Sequence, residues 1–246
     1  MKKILSLALA FAVCLCAVAA LAADKYIIAT DTTFAPFEFE DMDGNFIGID
    51  MDILKAAAED QGFDYEVQVL GFSAAVQALE AKQVDGVIAG MSITDARKEK
   101  FDFSDPYFES GVVMGIAAND DAIKTYEDLK GKTVAVKTGT VGSAFAEGIA
   151  GEYGFTCTYF DDSANMYEDV KAGNSVACFE DYPVLGYAIT KNVGLKIVTE
   201  KEGADAYGFA VSKGENTELL EMFNKGLANI KASGKYQEIL DTYIQK

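Results

Sequence analysis

The chain has 246 residues, with 39 acidic against 21 basic side chains, a formal charge of −18, 50% hydrophobic residues and no histidine. The acidic balance argues against a nucleic-acid partner. The lack of histidine removes imidazole general bases, histidine-based catalytic triads and histidine metal sites.

The chain opens with Met1-Lys2-Lys3, an apolar stretch from Ile4 to Leu21, and Ala20-Leu21-Ala22 before the polar Asp24-Lys25. This is the pattern of a secretory signal peptide, residues 1–22, cut after Ala22. The stretch is short and alanine-rich for a membrane anchor and ends on a cleavage sequence. Val13 and Leu15, before Cys14 and Cys16, are larger than lipoprotein processing normally accepts. Removal of Lys2 and Lys3 takes the formal charge from −18 to −20. No later segment is apolar enough over a sufficient length to span a bilayer, so a soluble exported chain is expected.

Short apolar runs then alternate with helical periodicity. Strands are expected over Tyr26–Thr30, Tyr65–Leu70 and Val84–Ala89, with helices over Ile49–Gln61 and Ser73–Lys82. A second round begins with a strand over Val112–Ala118 and a short helix capped by Thr125. Strands over Thr133–Lys137 and Phe155–Phe160 follow, separated by a helix over Val141–Ile149. Ser163 caps a helix to Ala172, Ser175–Glu180 is a strand, Pro183 opens a helix to Lys191, and Leu195–Thr199 is a strand. Two helices, Thr217–Ala232 and Lys235–Tyr243, close the chain. Alternation of this kind gives an α/β fold with parallel-rich sheets and crossover helices, here in two lobes. The junctions fall at 107–111 and 203–207, as two short strands or hinges. Residues 23–106 with 208–246 form the first lobe, and 112–202 the second.

Only Cys157 and Cys178 remain after cleavage. Their strands are expected to flank a common central strand, which leaves two free thiols.

Ligands in open α/β sheets sit outside the carboxyl ends of the strands. The residues there are Asp31, Phe34 and Phe37; Phe72; Gly90 to Ser92 and then Arg97; Lys137 to Thr140; and Glu180-Asp181. Arg97 is the single arginine of the chain. Its planar fork matches a carboxylate in a way that lysine cannot reproduce. Asp181 offers a partner for an ammonium group, or the N-cap of the following helix. Phe34 and Phe72 suit an apolar sandwich, and Asp31, directly after a buried strand, needs partners. Lys137-Thr138-Gly139-Thr140-Val141-Gly142-Ser143 lacks the ending of a phosphate loop, leaving a helix start whose amides can receive a carboxylate. In Asp41-Met42-Asp43-Gly44-Asn45 the glycine comes too early for an EF-hand, and a turn is expected.

Three ordered motifs carry a resemblance over essentially the whole chain after Ala22. They are Ala29-Thr30-Asp31-Thr32-Thr33-Phe34-Ala35-Pro36-Phe37-Glu38-Phe39, Ser92-Ile93-Thr94-Asp95-Ala96-Arg97-Lys98, and Phe101-Asp102-Phe103-Ser104-Asp105-Pro106-Tyr107. The chain resembles the periplasmic amino-acid-binding proteins of ABC importers, solute-binding protein family 3, with the glutamine binders nearest. The resemblance implies the two-lobe periplasmic-binding-protein fold, type II, with a two-strand hinge. It also implies a monomer in the periplasm that closes on one free amino acid and delivers it to an ABC permease, without cofactor or metal. Arg97 would take the α-carboxylate, helped by backbone near Ser92 and Thr140. Asp181, the Gly90 carbonyl and the Ser92 hydroxyl would hold the ammonium. Phe34 and Phe72 would flank the side chain, and Asp31 with Lys137 would read its far end, which suits an amide. Glu180 stands where the glutamine binder has histidine, Ser92 replaces threonine, and Val141 lengthens the Lys137 loop. Arginine, lysine or glutamate therefore stay open as ligands. An amino-acid sensor and a cleft enzyme such as a dehydratase are the rival functions on this fold.

Overall fold

The computed structural model describes residues 25–203 and 206–244. The expected signal peptide, residues 1–22, lies outside the described residues, as do positions 204 and 205 of the second junction.

The first lobe is built on a five-stranded sheet. Its strands are β1 (Tyr26–Thr30), β4 (Tyr65–Val69), β5 (Gly86–Val87), β6 (Phe101–Phe103) and β14 (Ala210–Ser212), in the order β4-β1-β5-β14-β6. β1 runs parallel to β4 and β5, whereas β14 is antiparallel to β5 and β6. Successive residues point to opposite faces, and both faces are covered. Ile28 and Ile88 join the core under α1 (Ile49–Gln61) and α7 (Thr217–Ser233), while Ala29, Val87 and Ala89 join the one under α2 (Phe72–Glu80). Gly226 lets α7 close onto α1, because a Cβ there would lie 2.8 Å from Ala57 Cα.

The second lobe repeats the layering with β8 (Val112–Ala117), β9 (Thr133–Lys137), β10 (Thr156–Phe160), β11 (Ala177–Asp181) and β12 (Leu195–Ile197), in the order β10-β9-β11-β8-β12. α4 (Val141–Tyr153) covers one face, through Ala146 against Val134, Val136 and Phe179. α5 (Ser163–Lys171) and α6 (Tyr182–Thr190) cover the other, through Met166, Val170 and Leu185 against Val113, Ala135 and Cys178. Cys157 on β10 and Cys178 on β11 are separated by β9, and both are free thiols.

Between the sheets, β7 (Phe108–Glu109) and β13 (Ala206–Tyr207) form a two-stranded antiparallel ladder. The Asp41 segment is a turn, as expected. Its Oδ1 accepts from the N–H of Asp43 and Asn45, and it joins β2 (Phe39–Glu40) to β3 (Phe46–Ile47). Two other expectations are corrected. The cap of α5 is Asp162, not Ser163, because the Asp162 carboxylate takes the Asn165 N–H at 2.8 Å. β11 also runs one residue further than expected and ends on Asp181. Among the described residues no helix is long and apolar enough to cross a membrane.

Candidate functional site

The carboxyl ends of β1 and β9 meet across the gap between the lobes. Asp31 follows β1 and is fully buried, as a carboxylate tolerates only when its oxygens are paired. It accepts the N–H of Thr32 at 2.6 Å and that of Phe72, the first residue of α2, at 3.1 Å. Lys137 at the end of β9 completes the set with an ion pair, in which both side chains are 1% exposed. The same ammonium lies 4.8 Å from the centre of the Phe34 ring, so Phe34 and Asp31 together hold a lysine from the other lobe.

Arg97 sits in α3 (Asp95–Lys98), a single turn capped by Thr94, whose hydroxyl oxygen accepts the Arg97 N–H at 3.2 Å. The guanidinium reaches into both lobes. It donates to the Ser92 carbonyl at 2.8 Å and to the Gly139 carbonyl at 3.1 Å, and lies 5.2 Å from the centre of the Phe72 ring. Thr140 caps α4, accepting the Ser143 N–H at 3.1 Å. Gly90 has φ +51, and a Cβ on it would lie 2.3 Å from the Phe34 ring, so both backbone twist and close approach call for glycine.

These residues meet in one cleft between the lobes, lined by Phe34, Phe72, Ala89, Gly90, Ser92, Arg97, Lys137, Thr140, Val141 and Asp181. Asp31 stands behind Lys137 rather than on the lining.

Glu180 is not brought to the cleft. Residues 180 and 181 are neighbours on β11, and adjacent strand residues point to opposite faces. Glu180 faces the α5 side, where it accepts from the Ser163 hydroxyl at 2.7 Å, the Tyr167 hydroxyl at 3.0 Å and the Asp181 N–H at 2.9 Å. Asp181 occupies the N-cap position of α6, but its side chain does not cap that helix; it accepts the hydroxyl of Tyr207.

Four residues behind the cleft escaped the sequence reading. Tyr207 bridges the lobes through Asp181 and Ser110. Burial, and then the Asp181 charge, pushes its phenol far up, so it stays a donor. Asp50, in the first turn of α1, accepts the Gly90 N–H at 2.7 Å and the Tyr107 hydroxyl at 2.8 Å. Glu38, whose carbonyl anchors the Phe34 N–H at 2.8 Å, buries its carboxyl against that of Asp50. Burial raises both acids, Asp50 to about 6, against the hydrogen bonds from Gly90 and Tyr107 that pull Asp50 down. A signal for Asp50 was present: it lies three and four residues before Ile53 and Leu54, on the apolar stripe of α1.

The profile of the bacterial extracellular solute-binding proteins, family 3, matches residues 26–246. The chain belongs to that family. The arginine-binding extracellular protein ArtP of Bacillus subtilis is 31% identical over 216 residues, 87% of this chain and 84% of its own. Substrate-binding domain 2 of GlnP from Lactococcus lactis, solved in an open conformation, is 44% identical over 92% of this chain and 97% of its own, with a TM-score of 0.63. An ancestral arginine-binding protein is 38% identical and gives a TM-score of 0.83 whether solved with arginine or with glutamine, covering 89% or 90% of this chain and 98% of its own. The more identical structure superposes less well. Lobe placement therefore ranks the two, and this solute-binding protein has its lobes together, as the Asp31–Lys137 and Arg97–Gly139 contacts require.

Proposed function

We propose that this solute-binding protein captures a free L-amino acid with a neutral polar side chain, glutamine, between its lobes. It works outside the cytoplasm as a monomer and hands the ligand to an ABC permease. The α-carboxylate lies against the Arg97 fork and the backbone near Ser92 and Thr140. The ammonium lies against Asp181, the Gly90 carbonyl and the Ser92 hydroxyl. Phe34 and Phe72 flank the side chain.

The observation that carries the choice of glutamine is the buried Asp31–Lys137 pair at the far end of the cleft. An amide carbonyl can accept from the Lys137 ammonium on the lining without adding charge, whereas a cationic side chain meets Lys137 and an anionic one the Asp31 behind it. Contacts from both lobes favour the closed arrangement by differential binding, and β7 and β13 absorb the dihedral change of opening. Arginine is the second reading. It is supported by the names of the relatives and by the two further acids, Glu38 and Asp50, beneath Asp31.

The test is calorimetry on protein unfolded to strip bound solute and then refolded, against each of the twenty amino acids. Glutamine is expected to give the strongest signal, with about −8 kcal/mol corresponding to micromolar affinity. Tighter binding of arginine would establish the second reading, and no binding across the set would refute both.

A further inference from the structure

We propose that Glu38 and Asp50 share one buried proton, and that this proton limits the pair beneath the ligand's side chain to a single negative charge while Asp50 holds Gly90. The pair is thus a positioning element for side-chain selectivity. The proposal rests on the reading of the cleft given above.

Both carboxyls are fully buried and come from different segments, Glu38 from the loop after Phe34 and Asp50 from α1. Asp50 Oδ2 is committed to the Gly90 N–H at 2.7 Å and the Tyr107 hydroxyl at 2.8 Å. Its Oδ1 and both oxygens of Glu38 meet no N–H or hydroxyl donor among the described residues. The one polar neighbour Glu38 has for a hydrogen bond is the Asp50 carboxyl itself. Two ionised carboxylates so placed would be desolvated, mutually repelled and unpaired, each a large cost. A single proton turns one of the oxygens into a donor for the other acid and relieves all three at once.

The charged and titratable groups facing the pair agree. Asp31 adds repulsion and Lys137 partly offsets it, while Tyr107 and Tyr236 remain protonated phenols. Burial is the largest influence on both acids and raises both, Glu38 further than its neighbours can pull it back. The proton belongs to the pair rather than to one residue.

The consequence reaches the ligand. With the proton in place, the Asp31–Lys137 pair faces a single added negative charge on Asp50, which is already engaged by two donors. Loss of the proton doubles that charge and favours a cationic side chain over an amide.

The test compares wild type with Glu38→Gln at pH 7, by calorimetry with glutamine and arginine and by infrared spectroscopy of the carboxyl region. The introduced amide would imitate the protonated acid, so the ratio of the two affinities should stay within about twofold of wild type. The infrared band of a protonated carboxyl should be present in wild type and absent in the variant. An ionised Glu38 would instead make the substitution cost arginine roughly tenfold relative to glutamine, the effect of one nearby unit charge at an effective dielectric between protein and water. That loss, or no protonated-carboxyl band in wild type, overturns the proposal. Should wild type bind neither amino acid, the reading of the cleft falls, while the band in wild type, which needs neither ligand nor variant, still decides the proton.

Discussion

Asp31 of one lobe and Lys137 of the other form an ion pair of which each side chain is 1% exposed. The pair exists only when the lobes are together, so it belongs to the closed arrangement and not to the stability of either lobe. In Lys137→Met, Asp31 keeps the N–H donors of Thr32 and Phe72 when the lobes part, and is left with a buried, unpaired charge when they close. Truncating one partner of a buried pair costs about 2 to 5 kcal/mol. Calorimetry should show affinity falling by roughly 30-fold or more, with the ligand-free melting temperature nearly unchanged.

Arg97 binds one carbonyl on each lobe, at Ser92 and Gly139, and stacks near Phe72. Arg97→Ala should abolish useful amino-acid binding while circular dichroism and melting remain those of the folded protein. Arg97→Lys keeps the charge but loses the fork, and should recover only part of the affinity.

Gly90→Ala combines a left-handed backbone with a methyl group 2.3 Å from the Phe34 ring. Phe34 must move, and the Gly90 N–H to Asp50 bond is strained with it. The variant should fold, melt lower by an amount equivalent to about 1–3 kcal/mol, and bind more weakly. Thermal melting and calorimetry on the same sample separate the two effects.

The pH dependence of stability follows from acids shifted in opposite directions. Asp50, raised to about 6, and Glu38, raised further from its ordinary range, hold protons in the folded chain that the unfolded chain has released. The Asp50 contribution is complete below about pH 4 and declines as pH rises through 6, and the Glu38 contribution is lost in the same direction, as pH rises. Asp102, held down by Lys213 and the Gly214 N–H, and Asp128, held down by the backbone of Lys124 and Thr125, act oppositely; their contribution is lost as pH falls below about 4. Urea unfolding across pH should therefore place the stability maximum on the acidic side, at about pH 5. Glu38→Gln should flatten the alkaline slope.

Strands two apart in a sheet are separated by about 9.6 Å, beyond the reach of a disulfide. Cys157 and Cys178 flank β9 in this way. Burial also pushes the Cys178 thiol far up. Alkylation under native conditions should label Cys157 first, both thiols should react after unfolding without reductant, and Cys178 should stay unlabelled in the native state.

The layering of both lobes was legible because strand and helix periods are local, and strand ends such as those before Asp31 and Lys137 follow from the same periods. The place of the single arginine on the cleft lining was legible because it follows a strand end, where the cleft of an open sheet lies. Adjacency in sequence puts Glu180 beside Asp181 at the strand end, whereas the pleat sends Glu180 toward Tyr167 and Asp181 toward Tyr207. What Asp50, Tyr107 and Tyr207 bind was invisible for a different reason. Their partners lie 40, 57 and 26 residues away in the chain, and only the assembled fold brings them together.

The position of β14 has a consequence for how the chain is made. It lies between β5 and β6, so the first sheet is missing an inner strand until residues 210–212 have emerged. The second sheet, β8 to β12, is one uninterrupted stretch and can form as soon as it is synthesised. The N-terminal part of the molecule thus cannot close its core early. The first lobe is thus completed only when nearly the whole chain is available.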